Sequence, residues 1–209
     1  MTNLPVLRSD VMPVPFSGAS DAHSYLDTAI ARMVQLRERA PDCGTFAFTA
    51  PHARAGVSYV VNLVAGELSS RTGEAVLIAS SAALDGVSSH DLLRIQRATN
   101  APRQNVWRAV DHAAAGGSAV EADMVAVGAL PRSFGYMLID CPALDTAPHV
   151  LSLGPHIDGV FMIVAAGETS RTRMVHAKRL LDASSVHLLG VILNKRTYPV
   201  PGFLYRFFS

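Results

Sequence analysis

The chain has 209 residues, of which 49% are hydrophobic, enough to bury the core of one domain. Its formal net charge of +1 argues against the broad basic surface of a nucleic-acid-binding protein. No apolar run approaches the roughly 20 residues of a membrane helix. Two cysteines, Cys43 and Cys141, are too few for a disulfide framework or a zinc site. The N-terminus lacks the pattern of a signal peptide, so we expect a cytoplasmic protein.

The N-terminal half is predicted to begin with a mobile arm and a docking helix. Residues 1–20 contain three prolines and no periodic pattern, which is typical of a mobile arm. Asp21 to Arg39 has apolar residues at helical spacing and predicts a helix that docks on the core rather than on a partner. Short buried strands are predicted at 45–49 and 75–79, with a helix at 57–72 between them.

The second half is predicted to alternate between strands and helices. The polar, alanine-rich middle predicts helices near Ser89–Ala98 and Asn105–Ala115, and residues 119–131 are ambiguous between strand and helix. The later elements are strands at 136–140, 159–165 and 187–193 and a helix at 170–183. This alternation predicts an α/β fold with a mostly parallel sheet and helices on both faces. The loops that follow the strands then meet at one edge, where such folds bind ligands.

The first predicted strand leads into a degenerate phosphate-binding loop. The stretch from Thr45 to Val60 has the strand–loop–helix context of the P-loop motif G-x-x-x-x-G-K-[S/T]. Gly56 and Ser58 occupy the positions of its last glycine and its hydroxyl residue. Val57 stands where the motif has the lysine that reaches the β- and γ-phosphates, and residues 52–55 contain no glycine. The sequence therefore predicts a P-loop-like nucleotide cradle that has lost its charge.

The order of these landmarks resembles the P-loop domain of bacterial tyrosine kinases and the related chain-length regulators of capsule and exopolysaccharide synthesis. The resemblance runs from about Gly44 to the C-terminus. It is carried by APHARAGVS, AVLIASS and GYMLIDCPAL, and most specifically by DGVFMIVAAGETSRT and LLGVILNKR before the tail FLYRFF. We therefore expect a single P-loop NTPase-like domain over residues 21–209 that ends in a short aromatic tail, residues 198–209.

The resemblance assigns roles to the residues that match the family motifs. Gly56 and Ser58 match the nucleotide loop, whose hydroxyl ligates Mg²⁺ in the family. Asp140 matches the Walker B aspartate, and Asn194 matches a residue that contacts adenine. These four residues form the expected nucleotide site in vestigial form. Each also has a purely structural alternative, because such residues commonly cap helices and end strands.

The departures from the family remove charge from this site. Val57 replaces the Walker lysine, and Ala79 and Ser81 stand at the two acidic positions of the second strand. A single lost electrostatic donor at such a site costs on the order of 10²–10³ in rate. Arg54 is the candidate substitute cation, with filling of the pocket as the alternative for its bulky side chain. The losses favour a protein without catalytic residues over an active kinase.

Two further departures concern assembly and the tail. Ser24 and Asp27 stand where the family has the arginines of its ring oligomer, so a family-style ring is not expected and a different homo-oligomer stays open. The tyrosine-rich tail that the family phosphorylates is reduced to Tyr205, with Tyr198 upstream. We expect these two tyrosines to serve in docking or as phosphorylation targets.

The expected function is that of a degenerate, non-catalytic relative of bacterial tyrosine kinases in exopolysaccharide or capsule synthesis or export. It would bind the cytoplasmic ends of a membrane polysaccharide co-polymerase and so lie at the periphery of the inner membrane. The alternatives are a residual ATP-binding autokinase and an adaptor related to partition-type ATPases. No metal centre, no nucleic acid and no resident cofactor are expected, and ATP or ADP with Mg²⁺ would bind weakly at most.

Overall fold

A computed structural model describes residues 21–41, 44–84, 92–98, 105–110, 123–126 and 133–195 of the chain. Within these residues the helices are α1 Asp21–Arg39, α2 Val57–Thr72, α3 His149–Ser152 and α4 Arg171–Ala183. The strands are β1 Thr45–Thr49, β2 Val76–Ser80, β3 Leu92–Arg97, β4 Val106–Val110, β5 Asp123–Ala126, β6 Tyr136–Asp140, β7 Gly159–Ala165 and β8 Leu188–Asn194. The predictions for residues 1–20 and 198–209 lie outside the described residues.

The described strands form one sheet in the order β5-β3-β4-β2-β6-β1-β7-β8. The six strands from β4 to β8 in this order run parallel to one another. Only β3 is reversed, and it pairs antiparallel with both β4 and β5. The predicted α/β fold with a mostly parallel sheet is therefore confirmed.

The central strands send alternate side chains into two hydrophobic layers. Phe46 and Phe48 of β1 join the cluster that contains buried residues of α1 and α2, whereas Ala47 between them joins the cluster that contains residues of α4. The rings of Phe48 and Phe161 stack at a centroid distance of 5.4 Å in the first layer. Because successive side chains of a strand point to opposite faces, both faces of the sheet are buried under helices. The predicted helices on both faces are confirmed.

Helix α1 packs on the sheet through its apolar stripe. Ile30 and Met33 are fully buried in the cluster that α1 shares with α2 and the sheet. The guanidinium of Arg37 lies 5.0 Å from the centre of the Tyr136 ring. Asp27 forms an ion pair with Arg71 at the end of α2. The predicted docking of this helix on the core is confirmed. Asp27, which stands where the resemblance places an arginine of the family's ring oligomer, makes its ion pair within its own chain.

The prediction of two helices in the middle of the chain is wrong. Residues 92–97 and 106–110, which lie inside the predicted helices Ser89–Ala98 and Asn105–Ala115, are the strands β3 and β4. Ile95 is buried between the less buried Arg94 and Gln96, which is the period of a strand. Pairing between distant segments overrode the weak helix preference of the alanine-rich surroundings. The ambiguous stretch 119–131 contains the short strand β5.

We find no helix among the described residues that has both the length and the apolar content to cross a membrane.

Candidate functional site

The loops after β1 and β6, together with the end of β2, surround a cleft at the C-terminal edge of the parallel strands. The cleft has a volume of about 470 Å³. It is lined by residues 52–59 from the loop after β1 and the start of α2, by Ser80 from β2, and by residues 140–143 and Thr146 from the end of β6 and its loop. The fold therefore brings Arg54, Gly56, Ser58 and Asp140 together, as the sequence predicts.

Asp140 and Ser58 face each other in this cleft. Ser58 lies in the first turn of α2 and Asp140 at the end of β6, and both line the cleft. Burial raises the pKa of Asp140 above its ordinary value, and the neighbouring Ser58 hydroxyl together with the charge of Arg108 lowers that pKa in part. Among the described residues that line the cleft, Asp140 is the single carboxylate.

The loop lacks the chemistry of a phosphate cradle at two positions. Val57, at the lysine position, is partly buried and packs against the hydrophobic cluster of the α1 and α2 layer. Pro51, which is buried, stands at the position of the first glycine of the motif. The backbone there has no N–H to offer to a phosphate oxygen. The position that should present a cation to the phosphates instead adds an apolar side chain to the core.

One arginine lines the cleft and a second acts on Asp140 through its charge, and only the first is predicted from the sequence. Arg54 is exposed in the loop, has a left-handed backbone with φ of 65°, and makes no ion pair within the described part of the chain. Arg108 on β4 donates to the side-chain oxygen of Asn62 in α2. The amide of Asn62 in turn donates to the carbonyl of Ser58 at 2.6 Å. Arg108 is missed by sequence reasoning because the segment that carries it is predicted to be a helix.

The loop after β1 is held by side chains from the loop after β7 and from the end of β8. The amide of Asn194, at the end of β8, donates to the carbonyl of Ala55 at 2.8 Å. The buried His52 contacts the carbonyl of Ala53 through Nδ1 and the hydroxyl of Thr169 through Nε2, both at 2.8 Å. Because a carbonyl only accepts, Nδ1 carries the proton and Nε2 accepts from Thr169. The described contacts of Asn194 are structural, and its expected contact with adenine stays a prediction.

Solved structures similar to the chain identify its fold. No protein-family model and no curated protein matches the chain. Among solved structures, the chimeric protein CapA2B2 aligns with a TM-score of 0.60 and 14% identity over 88% of each chain. The kinase domain of the Escherichia coli tyrosine kinase Etk aligns at 0.58 and 13% identity, over 95% of this chain and 88% of that one. The BceF tyrosine kinase domain aligns at 0.58 and 17% identity, over 82% and 76%.

The chain has the P-loop fold of bacterial tyrosine kinase domains. The resemblance predicted from the sequence is thereby confirmed for the fold. At identities of 13–17% the likeness carries no assignment of activity, substrate or partner to this chain.

The end of β2 lacks the acidic side chains that the resemblance to kinases implies at this edge of the cleft. Ala79 and Ser81 stand where the resemblance to the kinase family implies acidic residues, and both are buried. Ser80 between them is exposed, lines the cleft, and pairs in register with Asp140. The side chain that β2 presents to the cleft is thus a neutral hydroxyl. Because successive side chains of a strand point to opposite faces, the sequence could have indicated Ser80 as the residue that faces the cleft.

Cys141, next to Asp140, is a buried thiol. Burial and the neighbouring Asp140 charge raise its pKa to about 12. Its sulfur donates weakly to the carbonyl of Ile139 at 3.9 Å. A thiol with this pKa stays protonated near neutral pH, so Cys141 is a structural residue and not a nucleophile.

The residues in the cleft do not fit the magnesium–ATP complex that the kinase fold implies. A catalytic site needs cations and a coordinated metal on the β- and γ-phosphates. Here the lysine position is apolar, and among the described residues that line the cleft Asp140 has no second carboxylate beside it. Within the described residues no group of three or more His, Cys, Asp or Glu side chains could hold a metal ion.

Proposed function

We propose that the chain is a non-catalytic relative of bacterial tyrosine kinases that acts in exopolysaccharide or capsule synthesis or export. It serves as the cytoplasmic partner of a membrane polysaccharide co-polymerase and lies at the inner membrane through that partner. The observation that carries the proposal is the position of Val57, whose side chain packs into the core where the kinase motif requires a lysine.

The loss of charge supports a non-catalytic role. Phosphoryl transfer depends almost entirely on cations that neutralise charge on the transferred group. A missing donor such as the lysine costs on the order of 10²–10³ in rate, and the sequence also lacks the two acidic metal-binding groups expected at positions 79 and 81. Mg²⁺ can bind through one carboxylate and substrate phosphates, so Asp140 alone leaves weak nucleotide binding open but supplies little catalysis.

The loop also has a means of keeping its shape without a nucleotide. Asn194 and His52 hold it through bonds to Ala55, Ala53 and Thr169, all within the chain. A loop that needs phosphate to become ordered would be a poor part of a scaffold. This one offers a fixed surface to a partner protein, which supports the role of an adaptor.

Calorimetric titration with ATP and with ADP, each with and without Mg²⁺, tests the non-catalytic part of the proposal. We expect no heat of binding at nucleotide concentrations up to about 1 mM. Micromolar binding that depends on Mg²⁺ would contradict it. The kinase domain of Etk, run under the same conditions, provides the positive control.

Capture by the cytoplasmic segments of a co-polymerase tests the partner. The full chain is compared with a chain that ends at residue 197 and so lacks the aromatic tail with Tyr198 and Tyr205. We expect the full chain to bind and the shortened chain to bind more weakly. If neither chain binds the cytoplasmic segments of the co-polymerase, the pathway assignment fails, whatever the nucleotide titration gives.

A residual autokinase is the second candidate, and the position of Arg54 favours it. Its guanidinium is exposed at the wall of the cleft and unpaired among the described residues, so it is available to a phosphate. This candidate requires Mg²⁺-dependent ATP binding that Arg54→Ala and Asp140→Ala both abolish. It also requires a phosphate on Tyr205 or Tyr198, which mass spectrometry of protein incubated with ATP would detect.

A further inference from the structure

Helix α4 concentrates positive charge on the side of the molecule opposite α1 and α2. It carries Arg171, Arg173, Lys178 and Arg179 against a single carboxylate, Asp182. The whole chain has a formal charge of only +1, so the rest of the chain is net acidic. A charge distribution of this kind creates a local positive potential on a protein that is nearly neutral overall.

The arginines of α4 are free to meet an external anion. Lys178 and Asp182 pair with each other at 2.6 Å, and the nearby Glu168 pairs with Lys195. Within the described ranges none of Arg171, Arg173 and Arg179 forms an ion pair, and all three are exposed. The charges that remain uncompensated on this helix are therefore guanidinium groups.

Arg171 and Arg179 lie on the face of α4 that points away from the sheet. Ala177 and Leu181 bury the opposite face. Arg171, Val175 and Arg179 follow at intervals of four residues, so they lie on one side of the helix, with the outer two about 12 Å apart along its axis. Together with Thr172 and His176 they border a shallow depression of about 380 Å³. We call these five residues the basic face.

Apolar groups accompany the charges. Val175, in the middle of the basic face, is 41% exposed, and Val191 on the edge strand β8 is 48% exposed. Val191 pairs in register with Met162, whose side chain lies in the hydrophobic layer under α4. Since paired residues point to the same side of a sheet, Val191 faces the α4 side as well.

We propose that the basic face of α4 binds the anionic headgroups of a lipid bilayer directly. Arginines that flank an exposed aliphatic side chain suit the boundary between headgroups and acyl chains, where guanidinium groups meet phosphates and the apolar group enters between them. A nucleic acid would favour a broader basic surface than a chain of charge +1 offers. The proposal does not rest on the proposed function, because α4 takes no part in the nucleotide cleft.

Sedimentation with lipid vesicles tests the proposal on the full-length protein. Vesicles of phosphatidylcholine with about 30 mol% phosphatidylglycerol present an anionic surface, and vesicles of phosphatidylcholine alone are the neutral reference. We expect binding to the anionic vesicles at about 0.1 M salt and release at about 1 M, where charges are screened within about 3 Å. Each arginine near such a surface contributes about fivefold, so the double variant Arg171→Gln/Arg179→Gln should bind about 25-fold more weakly.

The matched control removes the same charge from another exposed helix surface. Arg32→Gln/Arg39→Gln lowers the net charge by the same amount on α1, and both of its positions are exposed. We expect this variant to bind within about twofold of the wild type, and thermal unfolding checks that both variants are folded. No binding of the wild type to anionic vesicles, equal losses in the two variants, or binding to a DNA duplex in place of vesicles would each overturn the proposal.

Discussion

The side-chain amide of Asn194 lies over Gly56 and donates a 2.8 Å hydrogen bond to the carbonyl of Ala55. The last strand of the sheet thereby holds the loop that follows the first. A Cβ at position 56 would collide with this amide nitrogen, and Gly56 also has a left-handed backbone with φ of 89°. The glycine is therefore required by a contact within the protein, independently of any phosphate.

Gly56→Ala should destabilise the protein more than Gly73→Ala. Both glycines have left-handed backbones, but a Cβ at position 73 would meet nothing within 4 Å. We expect Gly73→Ala to cost about 1 kcal/mol from backbone strain and Gly56→Ala about 3 kcal/mol, since it also displaces Asn194. The free energy of unfolding in urea measures both. In a protein that already carries Asn194→Ala, Gly56→Ala should lower the free energy of unfolding only by the backbone strain. An unchanged cost in that protein would show that the collision with Asn194 does not cause the larger destabilisation.

The stability of the protein should depend on the ionisation of Asp140. The folded state raises the pKa of this carboxyl, so it binds the proton more tightly than the unfolded state does. The ionised carboxylate therefore lowers stability above the raised pKa, and the penalty disappears as the pH falls through that value to the ordinary Asp range. We expect Asp140→Asn to be more stable than the wild type at neutral pH, with a difference that shrinks on acidification. Urea unfolding across this range measures it, with Asp145→Asn as the exposed control.

Ser58→Ala should raise the pKa of Asp140 further. The hydroxyl of Ser58 stabilises the charged carboxylate, and its removal leaves burial as the dominant influence. A carboxyl-carbon NMR titration of Asp140 in the wild type and in the variant reports the direction of this shift. A lower pKa in Ser58→Ala would contradict the stabilising influence of the Ser58 hydroxyl on the carboxylate.

Met33→Ala should show that α1 is an integral part of the folded unit. Met33 is fully buried in the cluster shared by α1, α2 and the sheet. Truncation of such a side chain typically costs about 2–5 kcal/mol. Gln35→Ala, at an exposed position of the same helix, should change the free energy of unfolding by less than about 0.5 kcal/mol. Similar small effects of both substitutions would mean that α1 docks only loosely.

Val57→Lys should improve nucleotide binding without creating a kinase. A hydrogen bond from a charged donor is worth about 1.5–3 kcal/mol, or roughly 10- to 100-fold in affinity for ATP. The buried Ala79 and Ser81 still supply no carboxylate, so no phosphate should appear on Tyr198 or Tyr205. Calorimetry and mass spectrometry measure the two effects. Phosphorylation of the variant would show that the lysine was the one missing part.

The central strands were predictable because each is short and apolar and is followed by a loop that carries a residue of the nucleotide-binding motifs. Residues 45–49 and 136–140 have the predicted bounds, and Asp140 lies in the cleft as expected. The edge of the sheet was not predictable in this way. The strand β3 is amphipathic, and its pairing with β4 and β5 depends on partners that no local pattern specifies.

The contacts of the site were harder to predict than its members. Gly56, Ser58 and Asp140 follow from the motif, but nothing in the sequence joins His52 to Thr169 or Arg108 to Asn62. These pairs are separated by 117 and 46 positions. Their side chains meet only because the parallel strands bring loops from distant parts of the chain to one edge.

The bonds from Thr169 and Asn194 to the loop at residues 52–55 also set an order of events during synthesis. The side chains that fix the loop emerge from the ribosome more than 110 residues after the loop itself. Until then the nascent β1 and α2 lack the partners that complete the cleft. Closure of the cleft therefore waits for the synthesis of Asn194, and a chain interrupted before Asn194 never achieves it.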